Sequence, residues 1–208
     1  MRLLIYLAFF CVPLAAWAKG ERAGEFDYYV LAMSWSPNWC ALEGEARGSE
    51  QCGRNLGWVL HGLWPQFERG WPSYCRHNFR APSRSMTGAQ ADLFGTGGAA
   101  WYQWKKHGTC SGLAPAAYYD MARRVFEMVQ KPEVLDRTQK TYALPASVIE
   151  AAFLEANPGW EADMLTVTCK AGHIQEARLC LTKDLHPRTC GPEVIRDCTL
   201  QDALFEPR

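Results

Sequence analysis

Several patterns are missing from this sequence of 208 residues, and each absence excludes a class of protein. No two cysteines stand in the C-x2-C spacing of common zinc sites, which argues against a structural zinc centre. No segment is repeated or of low complexity, so a repeat protein and a low-complexity chain are both excluded. Asn-x-Ser/Thr glycosylation sites are also missing, which fits a bacterial exported protein.

The sequence has no excess of positive charge, because 22 Lys and Arg residues stand against 22 Asp and Glu residues. A protein that holds nucleic acid tightly over a broad surface is usually strongly basic. The balanced charge therefore predicts weak non-specific binding to nucleic acid. It is compatible with an enzyme that contacts a short nucleic-acid segment in a locally basic cleft.

The N-terminus has the three parts of a secretory signal. Arg2 precedes an apolar stretch over residues 3–15, and residues 16–18 are Ala-Trp-Ala, the small-residue pattern before a cleavage point. We predict that residues 1–18 are removed and that residues 19–208 form a single domain, secreted or periplasmic. The alternative is an uncleaved anchor, but the apolar stretch is shorter than the roughly 20 residues of a membrane span.

An even number of cysteines follows the predicted signal, which is typical of disulfide-bonded exported domains. Eight cysteines allow about a hundred pairings, so the residues alone do not choose between them. They are Cys40, Cys52, Cys75, Cys110, Cys169, Cys180, Cys190 and Cys198.

Periodicity predicts both strands and helices. Aromatic or alternating runs predict strands at residues 27–35, 57–61, 164–169 and 174–182, the last two as a hairpin. Helical spacing of apolar residues predicts helices at residues 86–94, 101–110, 115–130 and 145–157. These elements do not alternate as βαβ units. We therefore expect an α+β fold with a central antiparallel β-sheet flanked by helices.

Residues 101–110, Trp-Tyr-Gln-Trp-Lys-Lys-His-Gly-Thr-Cys, predict a helix with two different faces, ended by Gly108. The two tryptophans are three positions apart and share one side, which suits burial. Gln103, Lys106 and His107 share another side and offer an amide, a cation and an imidazole to one ligand. The alternative is an ordinary solvated helix that carries a charge run.

A second histidine, His61, ends an apolar run that starts at Trp58. The run predicts a short buried strand, which Gly62 and Pro65 are expected to end. A lone histidine in such a place is usually a satisfied core residue. Two His-Gly pairs, each near tryptophan and upstream of a cysteine, favour a chemical role instead.

Residues 61–65, His-Gly-Leu-Trp-Pro, and residues 104–110, Trp-Lys-Lys-His-Gly-Thr-Cys, resemble the two active-site segments of the ribonuclease T2 family in order and separation. The similarity extends to residues 26–37 and to the C-terminal cysteines, and so covers nearly the whole mature chain. The resemblance implies a disulfide-stapled α+β fold and a monomeric enzyme that cleaves single-stranded RNA. We expect no metal, no cofactor and, after signal cleavage, no membrane attachment. The resemblance also implies the pairs Cys75–Cys110, Cys169–Cys198 and Cys180–Cys190, which leaves Cys40 with Cys52.

The resemblance assigns roles in metal-free cleavage through a 2′,3′-cyclic phosphate. His107 is the base that takes the proton of the RNA 2′-hydroxyl, and His61 is the acid that protonates the leaving 5′-oxygen. They exchange roles when the cyclic phosphate is hydrolysed, while Lys106 stabilises the phosphate charge. The rate is therefore expected to be bell-shaped in pH. Trp64 is expected to stack on a nucleobase, with packing in the core as its alternative. The other expected substrate contacts are Gln66, Trp71 and Tyr102.

The chain departs from the family at Gln103, where members usually have Glu, and at Tyr102, where they often have His. Gln103 can accept and donate hydrogen bonds but cannot carry charge or pass a proton. Gln66 stands where some members carry an acidic base-reading residue, so no base preference is predicted. A second hypothesis is therefore a weakened or inactive relative that uses the cleft to bind RNA or a protein partner. A disulfide-rich binding module is a third, although packing alone does not require the sequence His-Gly-Leu-Trp-Pro.

Overall fold

The computed structural model of the protein describes residues 21–208. The predicted signal peptide, residues 1–18, and its cleavage point lie outside the described residues. Over the range 21–208, no helix is both long enough and apolar enough to cross a membrane.

Strands and helices are mixed along the chain, as the periodicity predicts. The strands are β1 (Tyr28–Trp35), β2 (Trp58–Gln66), β3 (Tyr142–Leu144), β4 (Leu165–Lys170), β5 (His173–Leu181) and β6 (Ala203–Phe205). The α-helices are α1 (Ser36–Trp39), α2 (Arg84–Gly88), α3 (Ala91–Phe94), α4 (Gly97–Lys106), α5 (Pro115–Met128), α6 (Glu133–Asp136) and α7 (Ala146–Ala156). Short 3₁₀ turns lie at Glu50–Gly53, Gly108–Ser111 and Ala162–Met164, and a π-helical turn at Cys40–Gly44.

The strands form one sheet in the order β2-β1-β5-β6-β3, with β4 paired to β5. β1 pairs antiparallel with β2 and β5, and β4 pairs antiparallel with β5. β5 and β6 meet in parallel at His173 and Leu204, so the expected antiparallel sheet is confirmed except at this contact. The predicted β4–β5 hairpin turns at Ala171 and Gly172, whose φ angles of 47° and 81° suit a type I′ turn.

Helices cover one face of the sheet and bury their apolar stripes against it. α5 begins with Pro115 in its first turn, where the missing N–H costs no helical hydrogen bond. α7 adds Ile149 and Phe153, both fully buried. The apolar stripe predicted for α5 is buried at Tyr118, Met121, Ala122 and Val125. Met128 belongs to the same predicted stripe but is 60% exposed, so the prediction is wrong at this residue. This apolar layer fixes one side of the sheet, and the other side carries a smaller buried cluster around Tyr28, Val30 and Val194.

The segment before α4 differs from its prediction. The sequence predicts one helix over residues 86–94, and this prediction is wrong, because two short helices, α2 and α3, lie there. Ser83 caps α2, because its hydroxyl oxygen accepts the N–H of Met86 at 3.1 Å. Gly95 then ends α3 at a φ of 82°, a conformation that glycine adopts freely.

Two segments expected as loops contain regular structure, namely residues 40–55 and the tail that carries β6. The buried amide of Asn38 explains the ordered tail. Its Nδ2 donates to the Leu204 carbonyl at 3.0 Å, and its Oδ1 accepts the N–H of Glu206 at 2.7 Å. Such a partner, more than 160 positions away in the chain, leaves no local pattern in the sequence.

All eight cysteines of the described residues form disulfides, in the pairing that the resemblance implies. The bond from Cys75 to Cys110 joins the loop after β2 to the 3₁₀ turn that follows α4, beside the second His-Gly pair. The four disulfides are Cys40–Cys52, Cys75–Cys110, Cys169–Cys198 and Cys180–Cys190.

Candidate active site

A β-bulge in β2 directs the first histidine away from the core. Leu60 and Leu63 both belong to the apolar core although they are three residues apart, which the two-residue period of a regular strand does not allow. The register between β2 and β1 shifts by one residue at this point, and His61 is the extra residue. β2 therefore continues through Gly62 and Pro65, where the sequence predicts its end.

His61 reaches across the sheet to a buried ion pair on β5. Its Nδ1 hydrogen-bonds with one carboxylate oxygen of Glu176, and the other oxygen accepts from Nε of Arg178 at 2.7 Å. β1 runs between them, and its residues at this level are Ala32 and Ser34. Because these two side chains are small, the longer ones can meet above them. We call His61, Glu176 and Arg178 the sheet wall of the site.

Glu176 is a buried carboxylate that stays ionised. Burial by itself raises a carboxyl pKa, but the contact with His61 and the Arg178 guanidinium outweigh burial and lower the pKa of Glu176 to about 2. The side chain of His61 is 42% exposed while that of Glu176 is 1% exposed. An accessible imidazole therefore lies in front of a buried anion.

α4 supplies the opposite side of the site. Thr96 caps α4, because its side-chain oxygen accepts the N–H of Ala99 at 3.0 Å. Gly97 and Gly98 therefore form the first turn of this helix. At the other end of the helix, Gln103, Lys106 and His107 line one cavity. We call these three residues the helix wall.

The two tryptophans of α4 have different surroundings. Trp104 is 2% exposed, whereas Trp101 is 41% exposed, so the predicted burial of both on one side is wrong for Trp101. The buried residues of the helix are Ala100, Gln103 and Trp104, and this narrow stripe leaves Trp101 beside it.

Gly108 gives packing room rather than a left-handed helix end. A Cβ at this position would lie 2.7 Å from Cδ1 of Trp104 and 3.0 Å from the ring of Tyr118. The residue with positive φ is Gly112, at 78°, after one 3₁₀ turn. The close approach keeps the end of α4 pressed against α5, and with it the histidine that follows Lys106.

His107 is buried at the C-terminal end of α4. Burial, the positive charge of Lys106 and the proximity of His61 together lower its pKa from 6.5 to about 3, and burial is the largest of these causes. Its Nδ1 is buried without a hydrogen-bond partner among residues 21–208. An imidazolium needs an acceptor for each of its two N–H groups. His107 is therefore a neutral ring at physiological pH.

Trp64 lies between the two walls. The centroid of its ring system is 5.1 Å from those of both His61 and His107. Its Nε1 donates to Oε1 of Gln103 at 2.8 Å, and the guanidinium of Arg178 lies 5.5 Å from its centroid. The half-buried ring thus links the sheet wall to the helix wall.

Gly62 leaves space for this link. A Cβ at Gly62 would overlap Nε1 of Trp64 and Oε1 of Gln103. Any larger residue there must displace the hydrogen bond that holds the two walls together.

Two cavities open beside the histidines, and both are lined by His61, Tyr102 and Gln103. The larger, of about 390 Å³, is also lined by the charged residues Glu43, Arg47, Lys170 and Glu176. The smaller, of about 270 Å³, is lined by all eight residues predicted as catalytic or substrate-binding. They are His61, Trp64, Gln66, Trp71, Tyr102, Gln103, Lys106 and His107.

The predicted substrate-binding residues differ in exposure. Gln66 is 6% exposed, and its Nε2 donates to the carbonyl of Pro65 at 3.1 Å, so its amide is partly engaged within the protein. Trp71 is 55% exposed and Tyr102 is 45% exposed. The hydroxyl of Tyr102 lies 3.5 Å from that of Tyr74.

The sequence prediction missed Glu176 and Arg178. A signal was present, because two opposite charges two positions apart in a predicted strand share one face of it. That pattern does not reveal which strand lies alongside, nor that His61 stands opposite. The pairing register of β1 with both β2 and β5 was needed to find the contact.

Known proteins are similar to this chain over much of its length. The family model described as Ribonuclease T2 family matches residues 26–190. A ribonuclease of Aeromonas hydrophila is 45% identical over 118 residues, which are 57% of this chain and 53% of that protein. The chain thus matches about half the length of this relative. Ribonuclease I of Escherichia coli (strain K12) is 22% identical over 238 residues, covering 86% of this chain and 89% of that one.

Among solved structures, trichomaglin, described as a novel S-like ribonuclease, has a TM-score of 0.64 with this chain at 21% sequence identity. The superposition covers 88% of this chain and 98% of trichomaglin, which shows a shared fold. The matched family segment runs from the start of β1 past the end of β5 and includes both walls of the site. This chain belongs to the ribonuclease T2 family.

Proposed function

We propose that the protein is an endoribonuclease that cleaves single-stranded RNA without a metal ion, through a 2′,3′-cyclic phosphate. The observation that carries this proposal is the opposite environment of two histidines that line one cavity. His61 contacts the buried anion Glu176, whereas His107 is desolvated beside the cation Lys106. Groups whose surroundings separate their protonation states in this way suit an acid and a base.

The first chemical step uses both walls. Neutral His107 takes the proton of the RNA 2′-hydroxyl, and the freed oxygen attacks the adjacent phosphorus. The bond from phosphorus to the 5′-oxygen breaks as protonated His61 gives its proton to that oxygen. Lys106 offsets the negative charge that develops on the non-bridging oxygens. The products are a 2′,3′-cyclic phosphate and a free 5′-hydroxyl.

The second step restores both histidines. Neutral His61 takes a proton from water, the water oxygen attacks the cyclic phosphate, and the bond to the 2′-oxygen breaks. His107 returns its proton to that oxygen, which leaves a 3′-phosphate. Because the mechanism needs a 2′-hydroxyl, DNA is not a substrate.

The two cavities support binding of a nucleotide on each side of the cleaved bond, since His61 lines both cavities and His107 lines the smaller one. The smaller cavity carries the exposed ring of Trp71, and stacking of a base on an aromatic ring contributes about 1–3 kcal/mol. The four disulfides support a secreted or periplasmic location, where thiols are oxidised. We further propose that the protein acts as a monomer.

Cleavage of a short fluorescent RNA by the purified oxidised protein in excess EDTA tests the function. We expect cyclic-phosphate ends early in the reaction and 3′-phosphate ends later. The same RNA with 2′-deoxyribose at the cleavage position is the control and is expected to stay intact. Loss of activity in EDTA, or cleavage of the deoxy substrate, would contradict the proposal.

A further inference from the structure

We propose that a surface beside the active site binds the part of a single-stranded RNA that lies beyond the two nucleotides at the cleaved bond. This inference rests on the ribonuclease function proposed above and extends its substrate from a dinucleotide to a longer strand. The surface is formed by the loop between β2 and α2, by the first residue of α2 and by the outer side of α4. We call it the aromatic-basic surface, and the members used below are Arg76, Arg80, Arg84, Trp101 and Lys105.

The positive charge of the chain is concentrated in this region. Residues 69–119 contain six Arg and Lys residues but only one acidic residue, Asp92. The carboxylate of Asp92 is already paired, because the guanidinium of Arg123 donates to its two oxygens at 2.9 and 2.8 Å. The whole chain has a net charge of zero, so the remaining residues are correspondingly acidic. A segregated positive region on a neutral protein is suited to a polyanion.

The cations of the aromatic-basic surface are free to bind phosphate. Among residues 21–208, the salt bridges do not involve Arg76, Arg80, Arg84 or Lys105. All four residues are exposed to solvent. Guanidinium and ammonium groups without a carboxylate partner can each contact a phosphate of the RNA backbone.

Exposed aromatic rings lie among these cations. Trp101 stands in α4, the helix that also carries Gln103 and Lys106, and its side chain is 41% exposed. Nζ of Lys105 lies 5.0 Å from the centroid of its ring, and Trp101 shares an open groove of about 310 Å³ with Arg84. Rings for base stacking next to cations for phosphates are the combination by which proteins hold single strands with little base preference.

The surface is continuous with the active site and is held in place. The hydroxyl of Tyr74 in the loop lies 3.5 Å from that of Tyr102, which lines the catalytic cavity. The disulfide Cys75–Cys110 joins the loop to the 3₁₀ turn that follows α4. An RNA strand that leaves the cavity past Tyr102 therefore meets Trp101, the preceding residue of the helix, and then the arginines of the surface.

The test compares two substrates, a dinucleoside monophosphate and an unstructured RNA of about 15 nucleotides. The charge variant is Arg76→Gln/Arg80→Gln/Arg84→Gln. Its matched control, Arg137→Gln/Lys140→Gln/Arg196→Gln, removes three exposed cations elsewhere. We expect kcat/KM of the charge variant to fall about tenfold on the long RNA and to stay unchanged on the dinucleotide. The slope of log kcat/KM against log salt should become shallower by about 2, since each lost phosphate contact removes about 0.7.

Trp101→Ala separates stacking from charge. We expect kcat/KM on the long RNA to fall about fivefold or more, with an unchanged salt slope and unchanged cleavage of the dinucleotide. Wild-type kinetics on the long RNA in both surface variants would overturn the inference. So would equal losses on both substrates, or an equal loss in the matched control.

A binding measurement keeps this inference separate from the proposed function. If the wild type cleaves neither substrate, the ribonuclease function fails, and fluorescence anisotropy with the same long RNA still tests the surface. Weaker binding in the charge variant and in Trp101→Ala, but not in the matched control, supports an RNA surface. Two results together would indicate an acidic protein partner instead and overturn the inference. Polyglutamate would compete as strongly as unlabelled RNA, and Trp101→Ala would bind the RNA as well as the wild type does.

Discussion

The two walls of the active site carry the same side chain in opposite electrostatic surroundings. In the sheet wall, the exposed ring of His61 stands in front of Glu176, a buried anion that Arg178 also stabilises. In the helix wall, His107 is buried and lies beside the cation Lys106. In the mechanism that we propose, the surroundings, rather than the identity of the residue, set which histidine starts as acid and which as base.

Removing either imidazole ring is expected to have the largest effect on RNA cleavage. We expect His61→Ala and His107→Ala each to lower kcat by about 10²–10⁴, the usual contribution of one acid or base. The double variant should lose little more than the worse single variant, because the two groups act in one proton-transfer cycle. Single-turnover cleavage of a short RNA measures all three.

His186→Ala is the control, since His186 is exposed and lies outside both cavities. It is expected to keep wild-type kcat. RNA hydrolysis that survives loss of both His61 and His107 would contradict the assigned acid and base.

The burial of His107 also predicts a pH dependence of stability. Its folded-state pKa of about 3 lies below its ordinary value of 6.5, so below pH 6.5 the unfolded chain takes up a proton that the folded chain does not. The free energy of unfolding should therefore fall as the pH falls, by about 1.5 kcal/mol from this group between pH 6.5 and about 5. Urea unfolding at several pH values measures this loss.

The variant His107→Asn should flatten that part of the curve, while His186→Asn should leave it unchanged. Glu176 contributes at lower pH, because its stabilising charge is lost as the pH falls from about 4.5 towards its pKa of about 2. Equal slopes in the wild type and His107→Asn between pH 6.5 and 5 would mean that His107 is not desolvated in solution.

The two walls also differ in how far the sequence predicts them. The helix wall follows from local spacing, because Gln103, Lys106 and His107 lie within five positions on one helix. The sheet wall depends on contacts between distant strands, and Glu176 is 115 positions from His61. The strands themselves were predicted, but a period of two cannot foresee the bulge in β2 or the small residues of β1 that let the two side chains meet.

Neutralising Glu176 tests whether the buried anion of the sheet wall contributes to RNA cleavage. We expect Glu176→Gln to lower kcat about tenfold, the effect of about 1.4 kcal/mol of lost interaction with the charged ring. The alkaline limb of the kcat profile should move to lower pH, because the variant lacks the negative charge beside the proposed acid. Cleavage of a dinucleoside monophosphate across a range of pH measures both changes.

Glu206→Gln is a matched control, since Glu206 pairs with His173, 3.6 Å away and outside both cavities. It is expected to leave the pH profile unchanged. Urea unfolding of Glu176→Gln separates a positioning role from a loss of stability. A fall in kcat with an unmoved alkaline limb would mean that Glu176 acts only as a structural ion pair with Arg178.

The smallest expected effect comes from returning the carboxylate that family members usually carry in the helix wall. Gln103→Glu keeps the acceptor for Nε1 of Trp64 and adds a negative charge beside the cavity. That charge favours protonation of His107, so the acid limb of the kcat profile should move to higher pH. We expect kcat at neutral pH to change less than about tenfold, because the chain already places the anion Glu176 at the other histidine.

Gln139→Glu, an exposed change of equal charge, should alter neither kcat nor the acid limb of its pH profile. If the wild type is inactive and Gln103→Glu cleaves RNA, then Glu176 does not replace the carboxylate that is missing at position 103. The site would then have changed from cleaving RNA to binding it.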